Sequence, residues 1–226
     1  MVREDLQRDG FAIVDGVLTE GEIVPALVAL SSRDLARSRA GTRHALQNPC
    51  VTALAQHPSL LGIVRQVLGA TAQPYRATFF DKSASSNWLV AWHQDTSLPL
   101  RHRKEVPGWG PWSVKAGVTY AQAPASLLAR LLALRVHLDD STERNGPLRV
   151  LPTSHRFGVL AADKVQDLAR QLTPVECLVR RGGVLAMRPL LVHASSKSID
   201  ASCRRVLHLE YTDSTDVGDG LELTVA

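Results

Sequence analysis

The amino-acid sequence predicts a mainly β protein in which a helical layer precedes a closed or sandwich-like β fold, with a jelly roll as the natural candidate. Helical apolar spacing is largely confined to the first 70 residues, whereas seven or eight short apolar runs follow residue 72. Turn signals such as Asn145-Gly146 and Gly182-Gly183 separate these runs. A chain of 226 residues with 45% hydrophobic content is long enough for one well-buried domain. We therefore expect a single domain over residues 1–226, with the helical layer at 1–70 and the jelly-roll core at 71–215.

The helical layer is expected to contain a short helix before Asp9-Gly10 and two longer helices, at about 19–31 and 58–68. Thr19 and Glu22 form a capping box at the start of the first of these longer helices. Gly69 is a C-cap signal directly after the second. The apolar residues of both helices recur at helical spacing, so each has one face to bury.

Strands are expected wherever short apolar runs lie between turn residues. The predicted strands are 11–14, 73–80, 88–93, 131–138, 148–151, 176–179, 183–187, 190–193 and 205–211. One further helix is predicted at 163–171. Residues 97–129 are predicted to form a long, proline-rich insertion without regular structure. Its Trp109 and Trp112 either wall a substrate pocket as part of a lid or anchor the insertion to the barrel.

Charge and cysteine content restrict the class of protein. No apolar stretch approaches the roughly 20 residues that cross a bilayer, so no membrane partner is expected. The chain has three cysteines, Cys50, Cys177 and Cys203, which form no CxxC pattern. This odd, scattered set indicates neither a disulfide framework nor a zinc knuckle. A cytoplasmic protein is the expectation.

The net charge of +4 raises the question of an anionic partner. One polar segment is rich in basic residues, namely Arg33, Arg37, Arg39, Arg43 and His44. It has no interleaved aromatic residues and no recognisable nucleic-acid module. A solvated loop is therefore favoured over a polyanion site, although the segment could still attract an acidic substrate.

The sequence Trp92-His93-Gln94-Asp95 is the most informative feature of the chain, and His193 follows His93 by 100 positions. Alone, a His-x-Asp triplet is weak, because it often arises by chance. In a strand, however, the histidine and the aspartate point to one face and the glutamine to the other. Two imidazoles and a carboxylate can occupy one triangular face of octahedral iron(II), which leaves positions for a co-substrate and O2. A following arginine suits a carboxylate of that co-substrate, so the pattern predicts an oxygenase.

Three motifs in a fixed order are more specific together than any one alone. They are WHQD at 92–95, ERNGPLRVLPTSH at 143–155, and HASS at 193–196 followed by Arg204-Arg205. They resemble the WHQD, ENGPLxVxPGSH and HxS/RR motifs of the phytanoyl-CoA dioxygenase family of iron(II)- and 2-oxoglutarate-dependent oxygenases, and the resemblance extends from about residue 9 to residue 211. Two departures, Thr153 for the usual glycine and Lys197 for a common proline, affect no expected ligand. The resemblance implies a double-stranded β-helix, the cupin-like form of the jelly roll.

By this resemblance, His93, Asp95 and His193 are expected to bind iron(II). Arg204 is expected to bind the distal carboxylate of 2-oxoglutarate, with Ser195 as a supporting hydroxyl donor. Arg205 competes with Arg204, because periodicity cannot assign a strand that is covered on both faces. The family spacing favours Arg204.

Lys82 and Arg135 are further candidates for binding 2-oxoglutarate, and for each a structural ion pair is an equal alternative. Asn145-Gly146 is interpreted as a turn in which glycine supplies a positive φ. The remaining histidines, which show no ligand spacing, are interpreted as structural. They are His44, His57, His102, His155 and His208.

The implied activity is hydroxylation of a small organic substrate, coupled to conversion of 2-oxoglutarate and O2 into succinate and CO2. Desaturation and cyclisation use the same ligands. Asp95 argues against a halogenase, which has a small residue at this position. A zinc hydrolase, a non-catalytic jelly-roll binding module and a polyanion-binding protein remain alternatives, and the sequence leaves the substrate and the oligomeric state open.

Overall fold

A computed structural model describes residues 1–30, 37–38, 41–83, 86–200 and 202–226, with only the backbone given for 37–38. Within the basic segment, Arg33 and Arg39 lie outside the described residues, as does the side chain of Arg37. Arg43 is exposed and His44 is buried. The predicted solvated loop can therefore be compared with the structure only at residues 37–38 and 41–43, which form two short paired strands instead.

Six α-helices lie in the described part of the chain. They are α1 (Val2–Arg8), α2 (Glu20–Leu30), α3 (Pro49–Ala55), α4 (Pro58–Leu68), α5 (Ala125–Leu128) and α6 (Ala162–Gln171). None of the described helices is long and apolar enough to span a bilayer.

The helices predicted from the sequence are confirmed. The capping box forms, because Glu22 Oε2 accepts hydrogen bonds from the Thr19 backbone N at 2.6 Å and from Thr19 Oγ1 at 2.7 Å. Gly69 follows α4 with φ at +93°. Helix α3 was not predicted, although Asn48 caps it by accepting from Cys50 N at 2.9 Å and Pro49 occupies its first turn.

Sixteen strands, many of them very short, make up the β structure of the described residues. They are β1 (Phe11–Val14), β2 (Arg37–Ser38), β3 (Gly41–Arg43), β4 (Gln73–Lys82), β5 (Val90–His93), β6 (Ser97–Leu100), β7 (Trp112–Lys115), β8 (Val118–Gln122), β9 (Leu132–His137), β10 (Leu148–Val150), β11 (Val175–Cys177), β12 (Val184–Met187), β13 (His193–Ser195), β14 (Arg204–Thr212), β15 (Asp216–Gly218) and β16 (Leu221–Glu222). Apart from the strand predicted at 190–193, every predicted strand is present within two residues at either end.

The larger sheet has seven strands in the order β1-β12-β9-β14-β4-β3-β2. Its outer face packs against the helical layer through alternating apolar side chains, including Ala77, Phe79, Leu207 and Leu209. Because side chains alternate along a strand, the intervening positions face the other way, into the barrel. Those inward positions of β4 and β14 carry most of the polar residues described below.

The smaller sheet has four strands in the order β11-β10-β13-β5. In the pairing of β13 with β5, His193 lies directly opposite His93. A cavity between the two sheets is lined from both sides. The two sheets form the predicted jelly roll, and their register brings two distant histidines together.

The prediction of a strand at 190–193 was wrong in its position, because β13 begins at His193. The apolar residues before it are buried, but their backbone bonds go elsewhere. Leu191 N donates to Arg188 O at 3.0 Å, and Val192 N donates to Ser154 Oγ at 2.9 Å. A turn and a serine side chain therefore replace the sheet ladder, a difference that hydrophobicity alone cannot reveal.

The prediction that residues 97–129 lack regular structure was also wrong. Strands β6, β8 and β7 form a three-stranded sheet in that order, and α5 follows it. Pro99 and Pro111 hid these short strands in the sequence, because proline normally signals a break. We call this three-stranded sheet the inserted sheet.

Candidate active site

The three predicted metal ligands come together where the smaller sheet ends. His93 is the last residue of β5, Asp95 follows two positions later, and His193 is the first residue of β13. The ring centroids of the two histidines are 4.2 Å apart. One ligand atom from each of the three residues lies within 4.8 Å of the others. Residues 100 positions apart in the chain thus form one cluster.

The orientation of both imidazoles suits metal binding. Nδ1 of His93 donates to Ala91 O at 2.8 Å, and Nδ1 of His193 donates to Leu191 O at 2.8 Å. A carbonyl oxygen only accepts, so each Nδ1 carries the proton and each Nε2 is left with its lone pair. The two Nε2 atoms lie 3.7 Å and 3.5 Å from the oxygens of Asp95. Ligands about 2.1 Å from a metal at right angles are roughly 3 Å apart, so only a small contraction closes the set around an ion.

The charge states also fit a metal. Burial, with a contribution from His93, lowers the pKa of His193 to about 4, so its imidazole is neutral near pH 7. Burial opposes ionisation of Asp95, but the nearby imidazoles of His193 and His93 outweigh it and keep the pKa of this carboxyl below its usual value. Two imidazoles and one carboxylate are the donor set that suits iron(II), and zinc accepts it as well.

Gln94 points away from the ligands, as the strand periodicity predicts. Its Nε2 donates to Leu190 O at 2.7 Å and to Gly158 O at 2.8 Å, while its Oε1 accepts from Leu160 N at 2.8 Å. The side chain therefore ties the end of β5 to the segment that leads into His193.

The ligands border a cavity of about 590 Å³ between the two sheets. Its remaining walls come from both sheets and from the inserted sheet, and most of the residues that line them are polar. They include Arg43, Arg76, Thr78, Phe80, Lys115, Tyr120, Arg135, Ser195, Arg204, His208 and Glu210.

Arg204 lines the buried end of this cavity, and Lys82, which is not one of the lining residues, lies beside Arg204 on the other side of Ser195. Arg204 is 3% exposed and Lys82 is 0% exposed. Ser195 Oγ accepts from Lys82 Nζ at 2.9 Å and from Arg204 Nη2 at 3.3 Å, and it donates to Gly146 O at 3.0 Å. Ser195 was predicted to donate to the co-substrate. In this geometry its proton is directed to Gly146, and its oxygen holds the two cations side by side.

Arg205 faces the other way. It donates from Nε to Asp139 Oδ2 at 2.7 Å and from Nη2 to Asp139 Oδ1 at 2.8 Å, which completes a bidentate ion pair. The alternation along β14 therefore separates the two arginines, with only Arg204 on the cavity side.

Arg135 is the third cation at the buried end. It stacks over the Phe80 ring at 5.1 Å, and its Nη1 lies 3.3 Å from His208 Nδ1. None of Lys82, Arg135 and Arg204 forms an ion pair with a carboxylate in the part of the chain that the structure describes. We call these three residues the deep cations.

The deep cations lie close enough to one another that charges within the group lower the pKa values of Lys82 and Arg204. Burial, followed by the charges of Arg204 and Arg135, lowers the pKa of Lys82 to about 7. Burial and the charge of Arg135 lower the pKa of Arg204 to about 9. A bound anion would relieve both the repulsion and the desolvation.

Sequence reasoning missed His208, which was interpreted as structural but lies in the site. Its Nε2 is 4.0 Å from Asp95 Oδ2 and 3.8 Å from Glu210 Oε2. The signal was available, because His208 is four residues after Arg204 on β14 and strand alternation puts both on one face. His44 also contacts the cavity wall, since its Nε2 is 3.1 Å from the Tyr120 hydroxyl.

Arg76 and Glu210 were missed as well. They form a buried ion pair that includes an Arg76 Nη2 to Glu210 Oε1 bond of 2.6 Å, and Arg76 Nη1 donates to Ser97 O at 2.8 Å. Burial raises the pKa of Glu210, and the paired guanidinium of Arg76 counteracts this effect. The pair ties β4 and β14 to the inserted sheet.

Trp109 and Trp112 were given two interpretations, lid or anchor. Both rings pack on an apolar cluster that includes Leu98, Leu100 and Leu128, and neither borders the cavity. The structure therefore supports anchoring for the two tryptophans, while Lys115 and Tyr120 of the same insertion line the cavity.

A jelly roll that presents two histidines and one carboxylate on one side of an internal cavity defines the class of facial-triad metalloproteins, to which non-haem iron oxygenases belong. Residues 6–206 match the family model described as phytanoyl-CoA dioxygenase. The chain belongs to the phytanoyl-CoA dioxygenase family, as its motifs predicted.

Curated relatives are distant. An L-proline trans-4-hydroxylase from Streptomyces griseoviridis is 25% identical over 194 residues, which cover 72% of this chain and 63% of the relative. An ectoine dioxygenase from Bordetella parapertussis is 25% identical over 170 residues, covering 68% and 48%. The chain therefore spans less than two thirds of the length of these relatives.

Solved structures share the fold. EctD from S. alaskensis superposes with a TM-score of 0.69 at 20% identity, covering 93% of this chain and 75% of that protein. SnoK, a non-haem α-ketoglutarate-dependent carbocyclase of nogalamycin biosynthesis, gives 0.70 at 20% identity, covering 97% and 87%. The epimerase SnoN in complex with Fe3+ and α-ketoglutarate gives 0.71 at 19% identity, covering 95% and 83%. These similarities confirm the predicted jelly roll.

Proposed function

We propose that the chain is an iron(II)- and 2-oxoglutarate-dependent dioxygenase that hydroxylates a small organic substrate and releases succinate and CO2. One observation carries this proposal. The metal-ligand cluster lies beside three buried cations that have no carboxylate partner among the described residues. This cluster consists of His93, Asp95 and His193.

Iron(II) would be held by Nε2 of His93, Nε2 of His193 and the carboxylate of Asp95. The Nδ1 bonds to backbone carbonyls fix both rings before the metal arrives, which lowers the cost of ordering the ligands. When bound, iron with 2-oxoglutarate and O2 supplies the oxidising power for hydroxylation. The protein contributes the position of the substrate and the exclusion of water from the cavity.

Arg204 would bind the distal carboxylate of 2-oxoglutarate, because a guanidinium offers a permanent charge and two parallel donors. Lys82 would add a second charge, since Ser195 holds it beside Arg204. Arg135 would support the same anion from β9. The distal carboxylate of 2-oxoglutarate would thereby offset part of the positive charge that the described residues leave unpaired.

Hydroxylation is the outcome we favour, and the carboxylate of Asp95 supports it over halogenation. SnoK and SnoN have the same fold and are named a carbocyclase and an epimerase, so the fold accommodates several outcomes. A zinc hydrolase is the alternative that the donor set alone permits. The deep cations speak against it, because hydrolysis gives no reason to bury three unpaired positive charges. The three free cysteines suit a cytoplasmic location, which is part of the proposal.

The test is to load the protein with iron(II) under ascorbate, add 2-oxoglutarate and a metabolite library, and measure succinate. We expect slow succinate release without a substrate and faster release with the correct one. Zinc-loaded protein is the control and should release none. Failure of the manganese-loaded protein to bind 2-oxoglutarate in calorimetry, together with hydrolytic activity of the zinc form, would overturn the proposal.

A further inference from the structure

Two cations at the exposed end of the cavity, Arg43 and Lys115, have no role in the proposed binding of iron and 2-oxoglutarate. Both line the cavity. Arg43 is exposed and Lys115 is half-buried, so this end is in contact with solvent. Within the described residues neither forms an ion pair with a carboxylate. We call Arg43 and Lys115 the mouth cations.

The sheet register directs Arg43 toward the cavity. It pairs with Thr78 of β4, and residues opposite each other in an antiparallel pair share a face. Thr78 lines the cavity together with Arg76 and Phe80, its neighbours at two-residue spacing. Arg43 therefore extends the inward polar face of β4 onto β3.

Lys115 reaches the cavity from the inserted sheet. Its Nζ lies 4.9 Å from the centroid of the Tyr120 ring, and the Tyr120 hydroxyl is 3.1 Å from Nε2 of His44, the residue next to Arg43. Tyr120 thus links the two segments that carry the mouth cations. Tyr120 also lines the cavity, although only 2% of it is exposed.

A third cation nearby is already neutralised. The guanidinium of Arg76 lies 5.8 Å from the Tyr120 ring centroid, but it is bound to Glu210 and to Ser97 O. Among the residues that the structure describes, the mouth cations have no carboxylate partner of this kind. Burial, followed by the charges of Arg43 and Arg76, lowers the pKa of Lys115, and Asp95 opposes this from the metal site. An anion placed between Arg43 and Lys115 would relieve the repulsion.

We propose that Arg43 and Lys115 bind an anionic group, in the first instance a carboxylate, on the molecule that is oxidised. This inference rests on the proposed function and names the substrate class of the same cavity. Arg43 and Lys115 would hold the carboxylate at the solvent end, the Tyr120 ring would pack against the carbon skeleton, and the reacting carbon would extend toward Asp95. A neutral or cationic molecule would leave both charges unpaired in a partly desolvated mouth.

The experiment uses protein loaded with manganese and saturated with 2-oxoglutarate, which blocks turnover and fills the deep end. Four monocarboxylates, L-proline, pipecolate, benzoate and hexanoate, are titrated by calorimetry beside their primary amides. We expect at least one carboxylate to bind and its amide to bind more than tenfold more weakly. Each carboxylate that binds is then tested in the iron-loaded enzyme for faster succinate release.

Matched variants locate the binding. Arg43→Ala and Lys115→Ala should each weaken the carboxylate at least tenfold, and Lys115→Arg should restore most of the affinity. Lys164→Ala on α6 removes the same charge from a residue outside the cavity and should change nothing. The melting temperature of each variant checks that the fold is intact.

Each remaining outcome counts against the inference. It fails if none of the four carboxylates binds, if an amide binds as well as its acid, or if the two alanine variants bind normally. It also fails if these variants weaken 2-oxoglutarate instead, because the mouth cations would then serve the co-substrate. If the unmodified protein does not bind 2-oxoglutarate, that result is different, because it refutes the proposed function itself.

Discussion

The two ends of the cavity both carry positive charge that has no carboxylate partner in the described part of the chain, but the two sets of cations lie on different kinds of strand. Lys82, Arg135 and Arg204 are at most 6% exposed and lie on β4, β9 and β14, adjacent strands of the larger sheet. The mouth cations lie on β3 and on the inserted sheet, in contact with solvent. Burying three like charges costs free energy unless a bound anion compensates them. Such a buried arrangement suits a ligand that does not change, such as the co-substrate. Solvated charges on peripheral strands cost little to change, so the mouth is the place where related proteins would vary their substrates.

The largest expected effect comes from removing a metal ligand, because the ligands at both ends of the cavity react at the metal. His193→Ala should abolish succinate formation, because the remaining two ligands cannot complete the facial set. His93→Ala should do the same. The control is His102→Ala, which removes an exposed imidazole and should keep wild-type turnover. Succinate release at wild-type rate by either ligand variant would refute the assignment of the metal site.

Removing the guanidinium of Arg204 should affect ligand binding at the two ends of the cavity differently. Arg204→Ala is expected to weaken 2-oxoglutarate roughly 100-fold, since a buried charge-assisted pair is lost. The affinity of a substrate bound at the mouth should change far less. Calorimetry on the manganese-loaded variant measures the first effect, and Arg205→Ala is the matched control. If Arg205→Ala weakened 2-oxoglutarate more than Arg204→Ala, the choice between the two arginines would be reversed.

The rigidity of the deep end depends on Gly146. Its φ of +70° is unfavourable for other residues, and an added Cβ would lie 2.4 Å from Ser196 O and 3.2 Å from Lys82 Nζ. Gly146→Ala should therefore lower the free energy of unfolding by about 1–3 kcal/mol and weaken 2-oxoglutarate binding. Gly62→Ala in α4, where a Cβ meets nothing within 4 Å, should leave stability unchanged or higher. Equal melting temperatures for the Gly146 variant and the wild type would contradict this prediction.

The smallest expected effect is a pH dependence that belongs to the deep end alone. Lys82 has a pKa of about 7 in the free protein, and a bound dianion favours its charged form and raises that pKa. Binding of 2-oxoglutarate should thus be independent of pH well below 7 and weaken as pH rises through and above 7, by up to about tenfold per unit. Calorimetry between pH 6.5 and 8.5 in two buffers would show the decrease and the accompanying proton uptake. Lys82→Met should bind more weakly throughout and lose the dependence; a dependence that survives in this variant must come from another group.

The sequence was sufficient for features that depend on local chemistry. The capping box at Thr19, the Asn145-Gly146 turn and the pairing of His93 with Asp95 on one strand face all follow from short-range geometry. The jelly roll and the family were also predictable, because three motifs occur in one order.

Features that depend on which strand lies beside which were not predictable. The ambiguity between Arg204 and Arg205 arose because both faces of β14 are covered, and only the ion pair of Arg205 with Asp139 resolves it. Glu210 and Arg76 showed no motif, since each acquires its role from a neighbouring strand, whereas alternation along β14 could have placed His208 on the same face as Arg204. The mouth cations come from two segments that are far apart in the sequence and are linked by Tyr120. Prolines hid the inserted sheet, so half of the cavity mouth was absent from the predicted architecture.

The bonds made by Gln94 have a practical consequence for protein engineering. This amide fastens the ligand strand to segments 158–160 and 190 of the barrel, and none of its three hydrogen bonds involves residues 97–122. That inserted stretch could be exchanged for one from another member of the family as a cassette. The hybrid would have a different substrate selectivity at the mouth of the cavity. Its metal site would keep the affinity of the parent protein for iron.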